Sequence, residues 1–215
     1  MANTDWNTFD MEIIQIFPTA IYKTSASEYI DNVRFAALDA VNPKEKLNEL
    51  HPCQMSGNII NDDRVFDFAK YVIQTSWNLL AEQGYDMSEK QTVFESMWMQ
   101  EHHKLSGMEQ HIHNDGVMLV GFFFLDVPED SSFMRLHDPR SGKITTDLRK
   151  GDESKGTFSV SEILLKPQAG ELFFTNAWLP HSFSRHNNDK PLRFIHINIS
   201  VKDAPESECN VPTII

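Results

Sequence analysis

The order of apolar and polar positions divides the chain in two. Over about the first 90 residues, apolar positions recur mainly at helical spacing. Met11-Glu12-Ile13-Ile14-Gln15-Ile16-Phe17-Pro18 comes first and reads as a short strand that Pro18 ends. Ser25-Ala26-Ser27-Glu28 has the Ser-x-x-Glu spacing of a capping box, and Ile30, Val33, Ala37, Leu38 and Val41 follow on one face. The spacing predicts a helix over about 26–41. Asn42-Pro43 stops it, because a residue before proline is pushed out of the helical region. A second helix is predicted after Asp62 or Asp63, either of which can cap it. It carries the stripe Phe66, Ala69, Val72, Ile73, Trp77 and Leu80, and Gly84 suits its C′ position.

From about Thr92 the period changes to two. Strands are predicted over 93–103, 117–126, 132–137, 159–165, 171–175, 180–185 and 191–201. The breaks between them hold turn residues, as in Ser106-Gly107, Pro128-Glu129-Asp130, Pro167-Gln168-Ala169-Gly170 and Asn187-Asn188-Asp189-Lys190-Pro191. Several short strands with frequent turns predict a mainly β sandwich or barrel, with the N-terminal helices packed on one outer face. The polar stretch 141–157 reads as a long loop, with a lid as one candidate role.

Composition narrows the function classes. The chain has 215 residues, enough for a single domain spanning 1–215, with supporting elements over about 11–90 and a β core over about 92–202. Acidic residues outnumber basic ones 31 to 19, for a net charge of −12, which argues against sequence-independent nucleic-acid binding. Cys53 and Cys209 are the only cysteines, too few for a disulfide framework or a cysteine zinc site. No apolar run reaches the length of a membrane span, and the first residues lack the pattern of a signal peptide. A cytoplasmic location follows as an expectation (the host cytoplasm if the chain is phage-encoded).

Nine histidines are present, and eight lie beyond residue 100. His111 and His113 stand two apart, so on an extended chain their imidazoles share one face and can share a metal. His181, in Trp178-Leu179-Pro180-His181, is the best candidate for a third ligand. Asp115 offers an alternative register, since His113-Asn114-Asp115 is itself H-x-D. Arg193 lies in the apolar strand Leu192–Ile197, where a cation needs an anionic partner, and a guanidinium suits a two-pronged grip on a carboxylate. His196 and Asn198 share a face with Phe194, and Arg193 takes the other. Without a bulge, only one of His196 and Arg193 can line the barrel interior. His102 and His103 point to opposite faces, His137-Asp138-Pro139-Arg140 reads as a pocket mouth or as a turn with a local Asp–Arg pair, and His186 reads as solvated.

Two ligands at strand spacing, a distant histidine and a following arginine on a β background resemble the Fe(II)/2-oxoglutarate-dependent dioxygenases. More closely, the chain is similar to a branch of 2-oxoglutarate/Fe(II) oxygenases found in marine bacteria and their tailed phages. The matching stretches are Ile16-Phe17-Pro18-Thr19, Met97-Trp98-Met99-Gln100, Gln110-His111-Ile112-His113, Val120 to Leu125 with Val127-Pro128-Glu129, His137 to Arg140, and Pro167 to Arg193. The resemblance implies a double-stranded β-helix (jelly-roll, cupin-like) barrel, with Fe(II) held by His111, His113 and His181. It implies 2-oxoglutarate as cosubstrate, anchored on Arg193. Gln100 stands in for the tyrosines such enzymes often place there, since Phe122-Phe123-Phe124 offers none. The implied reaction hydroxylates a substrate while 2-oxoglutarate is oxidatively decarboxylated to succinate. The departure is His113, where the superfamily's facial triad carries a carboxylate. Two other readings stay open: a jelly-roll metalloprotein with different chemistry, such as a three-His dioxygenase or isomerase, and a non-catalytic binding module. The primary substrate is not legible, and a homodimer is left open.

Overall fold

Two antiparallel sheets face each other, and strand alternation decides what lies between them. The computed structural model describes residues 12, 14, 16–145, 148–149, 151–152 and 157–205. The strands are β1 (Ile21–Ser25), β2 (Cys53–Met55), β3 (Lys90–His102), β4 (Met108–His111), β5 (Val117–Asp126), β6 (Met134–His137), β7 (Glu162–Leu165), β8 (Glu171–Asn176), β9 (His181–Phe183) and β10 (Leu192–Asp203). Two helices, α1 (Ile30–Asp39) and α2 (Phe66–Glu82), precede β3. The larger sheet has the order β1-β8-β5-β10-β3-β2, and the smaller one β4-β9-β6-β7. This is the jelly-roll arrangement.

Period-two alternation gives the larger sheet two apolar faces. Met97 and Met99 of β3, Phe123 of β5 and Ile195, Ile197 and Ile199 of β10 pack with Val33 of α1 and Phe68 and Val72 of α2. The neighbouring positions Phe122, Phe124 and Phe194 point the other way, onto Met134, Leu136 and Phe183 of the smaller sheet. The molecule is therefore layered as helices, large sheet, small sheet. Gly121 lets β5 and β10 lie this close: a Cβ there would stand 3.2 Å from Ile197 Cβ.

The sequence expectations shift in several places. Residues 16–20 are not a strand; β1 starts after Pro18, where Ile21 to Ser25 can pair with β8. Residues 11, 13 and 15 lie outside the described residues. The Ser25–Glu28 capping box does not form, because Ser25 Oγ is engaged by Ser27 Oγ at 3.0 Å and no side chain caps the short helical turn at Ser27. Asp62 does cap the turn that leads into α2, accepting the Arg64 N–H at 3.0 Å. The buried stripe of α2 is Phe68, Val72, Ser76, Leu79 and Leu80, so Phe66 is exposed. Strands β2 and β4 are additions. Of the 141–157 loop, Ser141–Thr145 is a 3-10 turn, while 146–147, 150 and 153–156 fall outside the described residues, as does Cys209.

Candidate metal centre

The smaller sheet brings two of the histidines together. His111 closes β4 and stands opposite His181, the first residue of β9. His113 lies two residues further on, its N–H held by the Ala177 carbonyl at 2.9 Å. The ring centroids of His111 and His113 are 5.2 Å apart, those of His111 and His181 4.4 Å, and those of His113 and His181 5.2 Å. A fourth imidazole arrives from the facing sheet. His196 lies in the middle of β10, level with Trp98 of β3 and Phe122 of β5. One nitrogen from each of His111, His113, His181 and His196 lies within 4.8 Å of all the others.

The hydrogen bonds of this cluster determine which nitrogens carry lone pairs. His111 Nδ1 faces the Glu109 carbonyl at 2.8 Å, and His181 Nδ1 faces the Leu179 carbonyl at 3.0 Å. A carbonyl only accepts, so both Nδ1 atoms bear the proton and both Nε2 atoms present a lone pair. This backbone anchoring of the remote nitrogen is the usual way a metal-ligating imidazole is oriented. His113 Nε2, His181 Nε2 and His196 Nδ1 are buried without a hydrogen-bond partner, as are Trp98 Nε1 and Asn198 Oδ1 beside them. Each such group costs about 1–3 kcal/mol if nothing satisfies it.

Burial also keeps three of the imidazoles, those of His113, His181 and His196, uncharged. It pushes His181 down to about 3 and His113 to about 4, with neighbouring His111 adding to both, and holds His196 well below the ordinary histidine value. Neutral imidazole is the ligating form. Among the described residues, no carboxylate belongs to this group of converging nitrogens. The arrangement can therefore hold a divalent first-row metal through nitrogen alone.

The other predicted site residues are placed as follows. Asp115 is exposed in a turn with φ +55 and does not join the cluster. Arg193 does not reach it either. Its neighbours in β10 alternate, so it shares the helix-side face with Ile195 and Ile197 while His196 faces inward. There its guanidinium is taken up by Glu101 and by Asp126 at 3.1 Å, the local ion pair that an arginine in an apolar strand requires. Gln100 does face inward, buried, with its Oε1 3.3 Å from His102 Nε2. His102 packs edge-on against Phe183 and Phe194, whereas His103 pairs with Glu101 at 2.6 Å. His186 is not solvated. It is fully buried, receives the Ser132 N–H and donates to the Lys190 carbonyl. His137, Asp138 and Arg140 line an open groove of about 710 Å³ whose wall includes Leu179, and Asp138 and Arg140 also form a local pair at 2.7 Å. Trp98 adjoins the cluster although no single motif singles it out; the signal for it is parity with His196 across the β3–β10 ladder, the same parity that already put Asn198 on the His196 face.

Comparison with known proteins agrees with this geometry. Residues 96–198, which span the cluster, match the family described as "Putative 2OG-Fe(II) oxygenase". No curated protein sequence matches the chain significantly. Among solved structures, the chain is similar to the non-heme alpha-ketoglutarate-dependent epimerase SnoN from nogalamycin biosynthesis, with a TM-score of 0.58 and 14% identity over 90% of this chain and 83% of that one. It is also similar to a Pseudomonas putida prolyl-4-hydroxylase, with a TM-score of 0.54 and 12% identity over 85% and 92%. HygX from Streptomyces hygroscopicus, solved with nickel and 2-oxoglutarate bound, gives a TM-score of 0.52 and 12% identity over 85% and 83%. At these identities the likeness shows the fold.

Proposed function

We propose that the chain is a 2OG-Fe(II) oxygenase, the family whose model matches residues 96–198, and that it hydroxylates its substrate at an iron held by His111, His113 and His181. The observation that carries this reading is the pair of carbonyl-anchored imidazoles, His111 and His181, whose Nε2 atoms are left with lone pairs in a cluster where one nitrogen per ring lies within 4.8 Å of the others. Fe(II) and 2-oxoglutarate, when bound, would supply an oxidative decarboxylation by O₂ that releases CO₂ and puts one oxygen atom of O₂ into succinate and the other into the substrate.

The chain's own residues do the positioning. The Glu109 and Leu179 carbonyls fix the tautomers, and His113 is held by its backbone bond to Ala177. Phe122, Phe124, Phe183 and Phe194 fill the barrel beneath the cluster and keep water from its inner side. Trp98 Nε1, Gln100 and His102 stand on one inward face of β3 and offer polar atoms to a cosubstrate, a role for which Arg193, turned away and paired, is not placed. The substrate class is open.

The test is cosubstrate turnover. Full-length protein supplied with Fe(II), ascorbate and 2-oxoglutarate should form succinate above a metal-free control, and His181→Ala should fall to background. Equal turnover by His181→Ala would overturn the ligand assignment.

A further inference from the structure

We infer that His196 is a fourth protein ligand of the metal, so that the centre without cosubstrate is a four-imidazole site spanning both sheets. The inference rests on the reading of the histidine cluster as a metal centre and goes beyond its three ligands.

The geometry is specific to this residue. His196 comes from β10 of the large sheet, whereas His111 and His181 come from β4 and β9 of the small sheet. Its ring lies 5.0 Å from that of His113, and one of its nitrogens is within 4.8 Å of a nitrogen on each of the other three. Bonds of roughly 2.0–2.1 Å to a common ion would set neighbouring nitrogens about 3.4 Å apart in a tetrahedron. The cluster's nitrogens, within 4.8 Å of one another, would close by up to about 1.4 Å on binding a common ion.

The surroundings offer His196 little else. Trp98 stacks on the ring at 4.4 Å and Phe122 meets it edge-on at 5.0 Å. The side chain is 1% exposed, and Nδ1 has no hydrogen-bond partner. A buried polar ring between two aromatic walls, with a nitrogen close to those of three other imidazoles, would be satisfied by a shared cation. A metal bound in this way would cross-link the two sheets in the middle of the barrel. A fourth protein nitrogen would have to leave the ion before both a chelating 2-oxo acid and O₂ could bind it, so the four-imidazole state belongs to the centre without cosubstrate. His196 therefore controls how many positions remain.

The experiment uses full-length protein titrated anaerobically with Co(II), a spectroscopic stand-in for Fe(II), with no cosubstrate present. Wild type, His196→Gln and His181→Gln are compared by ligand-field absorption, by affinity, and by X-ray absorption counting of imidazoles. The expected result is four imidazoles in wild type and three in each variant, with Co(II) affinity reduced at least about tenfold in both. An unchanged spectrum and affinity in His196→Gln, or three imidazoles in wild type, overturns the inference while leaving the metal centre standing. If His196→Gln does not fold, the wild-type count alone decides, four for and three against. Failure of wild type to bind Co(II) at all overturns both the fourth ligand and the metal reading beneath it.

Discussion

His102 lies buried on the inward face of β3, and burial, with smaller contributions from His186, His51 and His103, lowers it to about 4. In the unfolded chain it returns to about 6.5. Below that value the unfolded state binds a proton that the folded state refuses, so stability is intact at neutral pH and is lost as pH falls from 6.5 toward 4. The loss from this residue at pH 4.5 is on the order of 2 kcal/mol. Urea unfolding at pH 7.5 and 4.5 should therefore show a smaller acid-induced drop in His102→Leu than in wild type. An equal drop would mean that His102 is already protonated in the fold. At this scale the sequence was legible where the geometry is local. His111 and His113 are adjacent by strand period, and His181 follows a turn. The part played by His196 depends on the distance between two sheets, which no local pattern encodes.

Arg193 shows what an element adds to a residue. An arginine a dozen positions after a candidate ligand reads as an anion grip, and only the parity of β10 decides against the cavity. Glu101 of β3 and Asp126 of β5 flank it in register, and Arg34 of α1 reaches the same Asp126 at 3.1 Å. The arginine thus ties three strands of the large sheet to each other and to α1. The side chain is about a quarter exposed, so solvent screens part of this energy. Arg193→Gln should lower stability by about 2 kcal/mol in denaturant titration, since two carboxylates lose their shared cation. The affinity of the iron-loaded protein for 2-oxoglutarate should stay within about twofold of wild type, well under the tenfold that 1.4 kcal/mol would bring. A tenfold loss of that affinity at unchanged stability would return Arg193 to the cosubstrate site. The same distinction explains the other element-level differences. Strand existence followed from period two, but the burial phase of α2 was set by which face Met97, Phe123 and Ile195 left open for Phe68 and Val72.

For the whole molecule, the layering accounts for the composition. Aromatic side chains are concentrated on both faces of one sheet, where helices cover one side and the small sheet the other. No helix among the described residues is long and apolar enough to cross a membrane. The histidines lie between the sheets, and the nitrogen-only donor set leaves the full charge of a divalent ion to be balanced from outside the protein, as a dianionic cosubstrate would do. A mainly β sandwich or barrel was readable from turn spacing and period, and its jelly-roll form came with the resemblance. The resemblance in the 97–140 and 167–193 stretches placed the chemistry, and the pairing of Arg193 was hidden because it depends on strand register. The most direct test of the account is made without oxygen: Fe(II) and then 2-oxoglutarate are added to the full-length protein while its visible absorption is recorded. The account predicts a charge-transfer band that appears only with both additions and is missing in His181→Ala. Iron bound at full occupancy with no band at saturating 2-oxoglutarate would contradict it.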